Sequence, residues 1–89
     1  MTYYWFVYRR GFGQKVDTRC PTGAVCVTGP SRTLALEHAW AKAEMRYPFK
    51  PRQHLLLCEA ITDEGRRHVE MLEAAWEREY LEFRSLMLA

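Results

Sequence analysis

The sequence predicts a single α+β domain, a small antiparallel sheet with two helices packed on one face, in the order β-β-(β)-α-β-α. Three observations support this fold class. An aromatic, extended segment opens the chain, glycine-containing turns follow it, and two later segments repeat apolar residues every three or four positions. At 89 residues the chain has room for one hydrophobic core, so residues 1–89 are predicted to form one domain.

The N-terminal part of the chain is predicted to be extended. Residues 3–10 are mostly aromatic or β-branched and lack a helical period, which predicts a strand that is apolar on both faces. Gly11-Phe12-Gly13 then indicates a hairpin turn. Residues 14–20 alternate polar with apolar side chains and are predicted to return as a second strand at a solvated edge. Residues 24–28 are predicted to form either a short further strand or an extended connection.

A first helix is predicted after this extended region. Ser31 or Thr33 can cap its start, because either hydroxyl accepts a hydrogen bond from the free N–H groups of the first turn. Apolar residues then follow with helical spacing, at Leu36, Ala39, Trp40, Ala43 and Tyr47. Pro48 is predicted to end the helix, since proline cannot continue it.

A short apolar segment and a long helix complete the prediction. Residues 54–61 are bounded by a proline-containing linker and a helix cap, which predicts a central strand buried on both faces. Thr62-Asp63-Glu64 supplies a cap and negative charge at the start of the last helix. This helix is predicted to run to about Leu86. Its predicted core face comprises Val69, Leu72, Trp76, Tyr80, Phe83 and Met87.

Catalytic, metal-binding and cofactor-binding residues are not predicted. Each histidine has a structural explanation. His38 lies on the polar side of the first helix, His54 at the start of a strand and His68 in the first turn of the last helix. Structural zinc ligands come in pairs two to four residues apart. That spacing is not found among the three cysteines: Cys20, Cys26 and Cys58. The Gly11-Phe12-Gly13 turn lacks the other residues of a phosphate-binding loop. We therefore expect a protein that is not an enzyme.

The composition predicts a soluble, cytoplasmic protein. No apolar run approaches the roughly 20 residues that a membrane-spanning helix needs. Residues 1–8 are apolar but lack a basic leader and are followed by arginines, so a signal peptide is not predicted. An odd number of cysteines without paired spacing favours reduced thiols.

Charge is unevenly distributed along the chain, although the net charge is only +2. Residues 1–62 contain nine Lys or Arg against four acids, a net charge of +5, whereas residues 63–89 contain four against seven, a net charge of −3. Two candidate partner-binding surfaces follow from this asymmetry. The acidic surface, on the last helix, comprises Glu70, Glu73 and Glu77. The basic surface comprises Arg9, Arg10, Lys15, Arg19, Lys50 and Arg52.

The residues favour a function in binding, and three kinds of partner remain open. Either charged surface could bind a protein. The aromatic first strand, beside basic residues, could bind a nucleic acid, although that strand must also supply the core and the net charge is low for this class. A second copy could pair with apolar residues outside the main stripe of the last helix, and the protein would then be a homodimer rather than a monomer. These residues are Leu81, Leu86 and Leu88.

Two segments carry a resemblance to known proteins. The aromatic start of the chain with its Gly11-Phe12-Gly13 turn, together with residues 55–64, resembles small accessory proteins of phages and mobile elements. The chain departs from that pattern at residues 24–28 and in its long last helix. The resemblance implies an inhibitor of a bacterial defence system, as anti-CRISPR proteins are when they bind a Cas subunit or surveillance complex. It assigns no site residues.

Overall fold

The computed structural model describes residues 1–9, 21–46 and 55–88. Its elements, in chain order, are β1 (Thr2–Arg9), β2 (Gly23–Thr28), α1 (Arg32–Arg46), β3 (Leu55–Glu59) and α2 (Asp63–Leu88). β1 lies in the centre of a three-stranded sheet, with β2 and β3 paired antiparallel on either side. The predicted α+β class and the antiparallel sheet are confirmed.

The central strand is covered on both faces. Trp5 and Val7 of β1 pack in one hydrophobic cluster with α1, whereas Tyr4 and Phe6 pack in another with Val69 of α2. Because successive side chains of a strand point to opposite faces, α1 and α2 lie on opposite faces of the sheet. The prediction that both helices pack on one face is therefore wrong. A strand that is apolar on both faces needs cover on both.

The core face of α1 is made of alanines. Ala35, Ala39 and Ala43 are fully buried and four residues apart, so one side of the helix lies directly against β1 and β2. Two larger side chains of the predicted stripe, Leu36 and Trp40, are only partly buried beside them. At the start of the helix, the backbone N–H of Leu34 donates to the hydroxyl oxygen of Ser31 over 3.3 Å, which identifies Ser31 as the cap. Small side chains at the contact allow α1 to approach the sheet closely.

α2 is longer than the sheet that it covers. The backbone N–H of Gly65 donates to the hydroxyl oxygen of Thr62 over 3.0 Å, so the predicted cap is confirmed. A helix of 26 residues is about 39 Å long, whereas strands of five to eight residues span about 17–27 Å. The C-terminal part of α2 therefore extends past the sheet. Neither described helix is apolar enough over a sufficient length to cross a membrane.

The two outer strands differ from the sequence predictions in different ways. Residues 24–28 do form a strand, since β2 covers Gly23–Thr28. The prediction that residues 54–61 form a central strand buried on both faces is wrong. β3 lies at the edge of the sheet, and most of its side chains are only half-buried. The predicted turn at 11–13, the returning strand at 14–20 and Tyr47 lie outside the described residues.

Candidate protein-binding surface

The N-terminal half of α2 is joined to the rest of the fold through Glu73. One carboxylate oxygen of Glu73 pairs with the guanidinium of Arg46 at the end of α1, and the other accepts the backbone N–H of Cys26 over 3.1 Å. Arg46 also donates to the backbone oxygen of Ala24 over 2.7 Å, and its guanidinium carbon lies 4.2 Å from the ring centre of Trp76. The side chains of Arg46 and Glu73 are only 6% and 13% exposed. We call Arg46, Glu73 and Trp76 the clamp.

The clamp also covers the outer edge of β2. The ammonium group of Lys42 donates to the backbone oxygen of Cys26 over 3.0 Å, next to the groups that Arg46 and Glu73 bind. The outward backbone oxygens of Ala24 and Cys26, and the Cys26 N–H, are therefore bonded to side chains of the two helices. An edge strand whose backbone groups are occupied is protected from pairing with another strand. This arrangement holds both helices and β2 in one fixed geometry.

Beyond the clamp, the apolar stripe of α2 continues as exposed side chains. The rings of Trp76 and Tyr80 stack with their centres 5.2 Å apart, at the point where the helix leaves the sheet. Tyr80, Phe83 and Met87 are 48%, 61% and 71% exposed. We call these three residues the distal stripe. The predicted core face of the last helix therefore packs against the fold over its first half and is exposed over its second half.

The predicted acidic surface is divided by the structure. Glu73 belongs to the clamp and faces the interior, whereas Glu70 and Glu77 are exposed. The hydroxyl of Tyr4 donates to Glu70 over 3.1 Å, and this hydrogen bond raises the pKa of Tyr4. Asp63 is also exposed, and Asp63, Glu70 and Glu77 are seven residues apart, which places them on one side of α2. We call these three carboxylates the acidic stripe.

Only one residue of the predicted basic surface is described. Arg9 is exposed at the end of β1. The others lie outside the described residues: Arg10, Lys15, Arg19, Lys50 and Arg52. Three further basic residues of the N-terminal part bind groups of the fold itself, since Lys42 and Arg46 bond the edge of β2 and Arg32 pairs with Glu59 over 2.9 Å. Three of the four described basic residues among residues 1–62 are therefore engaged within the fold.

The residues considered for catalysis or metal binding are only partly described by the structure. His38 is exposed on α1, and His68 packs edge-on against Phe6 with ring centres 5.3 Å apart. Cys26 and Cys58 are free, half-buried thiols, and burial raises the pKa of Cys26, to which the charge of Glu73 adds. His54 and Cys20 lie outside the described residues. In the described ranges, no three His, Cys, Asp or Glu side chains are placed to hold a metal ion together.

Sequence reasoning did not find the clamp, although a signal was present. Glu73 lies four residues after Val69 and three before Trp76, so it interrupts the apolar side of the last helix. A carboxylate at such a position needs a buried partner. Its partner, Arg46, lies in the last turn of the other helix and is 27 residues away in sequence. That contact depends on the tertiary arrangement, which the local pattern does not give.

Comparison with known proteins gives no relative from which a function could be transferred. No family model, curated protein or solved structure is significantly similar to the chain. The surface of α2 is therefore the candidate functional site of the described residues.

Proposed function

We propose that the protein is a non-catalytic protein-binding module that inhibits a bacterial defence system from within the host cytoplasm. The partner would be a nucleic-acid-handling component, such as a Cas protein or complex. The observation that carries this proposal is the acidic stripe of Asp63, Glu70 and Glu77, presented on a helix that the clamp holds against the fold. The choice of a defence system rests on the resemblance of the first strand, its turn and residues 55–64 to phage accessory proteins.

Charge complementarity supports a partner that normally binds nucleic acid. Grooves that hold a phosphate backbone are lined by Lys and Arg. A row of carboxylates on a rigid helix is attracted to the same groups, and it competes with the nucleic acid for them. A preorganised surface loses little conformational entropy on binding, which favours affinity. The clamp provides this preorganisation for α2.

Nucleic-acid binding by the aromatic strand, the alternative function, receives less support from the geometry. Base stacking requires an aromatic face that is open to the ligand. Trp5 faces α1 in one core cluster, while Tyr4 and Phe6 pack on the α2 side. The aromatic residues of β1 are therefore used mainly in packing, and we favour a protein partner.

A phage-infection assay with matched charge reversals tests the proposal. The chain is expressed in a panel of bacterial strains, each carrying one defence system, and phage plaquing efficiency is measured. We expect the wild type to restore plaquing in at least one strain. The double variant Asp63→Lys with Glu70→Lys should lose this effect, because it reverses two charges of the acidic stripe. Glu77 is left unchanged because it lies beside the distal stripe.

The control makes the same charge change on another side of the same helix. Glu64→Lys with Glu82→Lys also reverses one first-turn carboxylate and one later carboxylate, and both residues are exposed. They are five helical turns apart, so they share a side that lies roughly 120° from the acidic stripe. This control should retain inhibition.

The outcomes separate the hypotheses. If the wild type restores plaquing in none of the strains, the proposal is contradicted. Equal loss in both double variants would show that total charge, and not the acidic stripe, is what matters. A tagged pull-down with and without nuclease adds a direct readout. Recovery of proteins that disappear after nuclease treatment would favour the nucleic-acid-binding alternative.

A further inference from the structure

Trp76 and the distal stripe of α2 together have the spacing of a two-stranded helical seam. Trp76, Tyr80, Phe83 and Met87 follow one another at intervals of four, three and four residues. This alternation is the a/d repeat with which two α-helices pack side by side. Trp76 is half-buried against Arg46, and the three side chains of the distal stripe are largely exposed. The stripe therefore continues the core of the domain onto a surface shaped for another helix.

The stripe is complementary to itself when two copies are antiparallel. A two-fold axis placed between Leu81 and Glu82 brings Tyr80 of one copy opposite Phe83 of the other. The same axis brings Trp76 opposite Met87. Every layer thus pairs an aromatic residue with another apolar residue, and this register uses the part of α2 that extends past the sheet. These layers match the a-to-d pairing of an antiparallel seam.

The charges beside the stripe favour the same arrangement. Glu77 and Arg84 are both exposed, and their separation of seven residues places them on the same flank of the stripe. A two-fold axis perpendicular to the paired helices brings each flank against the same flank of the other copy. Glu77 of one copy then lies beside Arg84 of the other, offset by about 3 Å along the helix. The symmetry forms this ion pair twice.

We propose that two copies of this chain associate through antiparallel pairing of the distal halves of α2, with their distal stripes in contact. A second copy is the occupant that the apolar layers and the flanking charges both fit. The inference goes beyond the proposed function. Its apolar layers lie on a different side of α2 from Asp63 and Glu70, and Glu77 is the one residue that the acidic stripe and the dimer contact share. The two acidic stripes would then be carried on one elongated dimer.

Sedimentation velocity over a concentration series tests the association. The monomer mass is 10.5 kDa, and we expect the wild type to shift toward twice this mass between about 1 and 200 µM. Only four residues of each copy form the apolar layers, which favours an affinity at the weak end of specific interfaces. Phe83→Glu should weaken dimerisation at least tenfold, because it places a charge in the seam. Phe83 is exposed in the monomer, so circular dichroism should show an unchanged fold.

Leu81→Glu is the matched control for this variant. Leu81 and Phe83 are 60% and 61% exposed on the same helix, but Leu81 lies outside the seam. The control should dimerise as the wild type does. A wild type that remains monomeric up to about 200 µM overturns the proposal. So does an equal loss of dimer in the two variants.

A charge swap tests the antiparallel orientation. Arg84→Glu sets like charges beside each other and should weaken the dimer about tenfold, since two ion pairs become repulsive. The double variant Glu77→Arg with Arg84→Glu should restore dimerisation in an antiparallel pair. In a parallel pair, Arg84 would lie beside Glu79 instead, and the swap would not restore it. Failure of the swap therefore overturns the antiparallel arrangement.

The inference and the proposed function can fail independently. The variant Asp63→Lys with Glu70→Lys should still dimerise, because neither residue lies beside the distal stripe. A monomeric wild type whose defence inhibition is lost in Phe83→Glu would assign the distal stripe to a different protein, and it would overturn self-association.

Discussion

Removal of Arg46 is expected to destabilise the protein strongly. Arg46→Ala would leave the carboxylate of Glu73 largely buried, with the N–H of Cys26 as its remaining partner, and would take one donor from the backbone oxygen of Ala24. Breaking a buried ion pair from one side costs about 3–5 kcal/mol. The total stability of a domain of 89 residues is about 4–13 kcal/mol. The variant should therefore lose a large fraction of its free energy of unfolding.

Urea unfolding followed by circular dichroism measures this loss. We expect a clear decrease in the urea midpoint with an unchanged slope, and a decrease in Tm of about 12 °C or more. The Arg32–Glu59 pair provides the control, because its side chains are 56% and 27% exposed. Arg32→Ala should cost no more than about 1 kcal/mol.

A loss of stability in Arg46→Ala that is as small as the loss in Arg32→Ala refutes this reasoning. If Arg46→Ala costs less than about 1 kcal/mol, the clamp behaves as a surface ion pair and does not hold α2. A second variant separates charge from shape. Arg46→Met with Glu73→Leu replaces the pair by apolar side chains, and it should recover much of the lost stability because no charge is left buried and unpaired.

Three further outcomes are expected. Ala39→Leu should destabilise the fold by about 1–3 kcal/mol in chemical unfolding, because Ala39 is fully buried between α1 and the sheet and leaves no space for a larger side chain. The raised pKa of Cys26 keeps its thiol protonated in the folded protein at a pH where the unfolded chain ionises. The stability that depends on this protonated thiol is fully present below the pKa of an unfolded cysteine, about 8.5, and it is lost as the pH rises through the higher pKa of Cys26 in the folded protein. Cys26→Ala should therefore flatten the decline of Tm between about pH 8 and 10. Finally, the Tm of the wild type should rise with protein concentration, whereas that of Phe83→Glu should not, because only the native state can form the dimer.

The sequence predicts the elements of this fold better than their arrangement. The aromatic composition of residues 3–10 correctly predicts a strand that is apolar on both faces, because side-chain alternation is a local property. The position of that strand in the sheet is not local. Residues 54–61 are also apolar, and nothing in their pattern shows that β3 lies at the edge while β1 lies at the centre. Placement of a helix on each face follows only once β1 is central.

The same limit applies to the candidate surface. The sequence predicts one acidic surface at Glu70, Glu73 and Glu77 because all three belong to the acidic last helix. The structure turns Glu73 toward Arg46, and this contact depends on where α1 ends relative to α2. Spacing along a helix predicts which residues share a side, but it does not say where the neighbouring element ends. For the same reason, spacing alone predicts the distal stripe to be core.

Trp76 connects the clamp with the proposed dimer contact. The guanidinium of Arg46 packs on its ring from the domain side. The same ring stacks on Tyr80 toward the exposed part of α2. A seam that begins at Trp76 therefore begins on a side chain that the fold already holds in place. Fixing a contact residue before association lowers the entropy lost on binding. The ion pair that anchors α2 to the sheet thus also positions the first layer of the helix pairing, although Arg46 and Glu73 lie outside the seam.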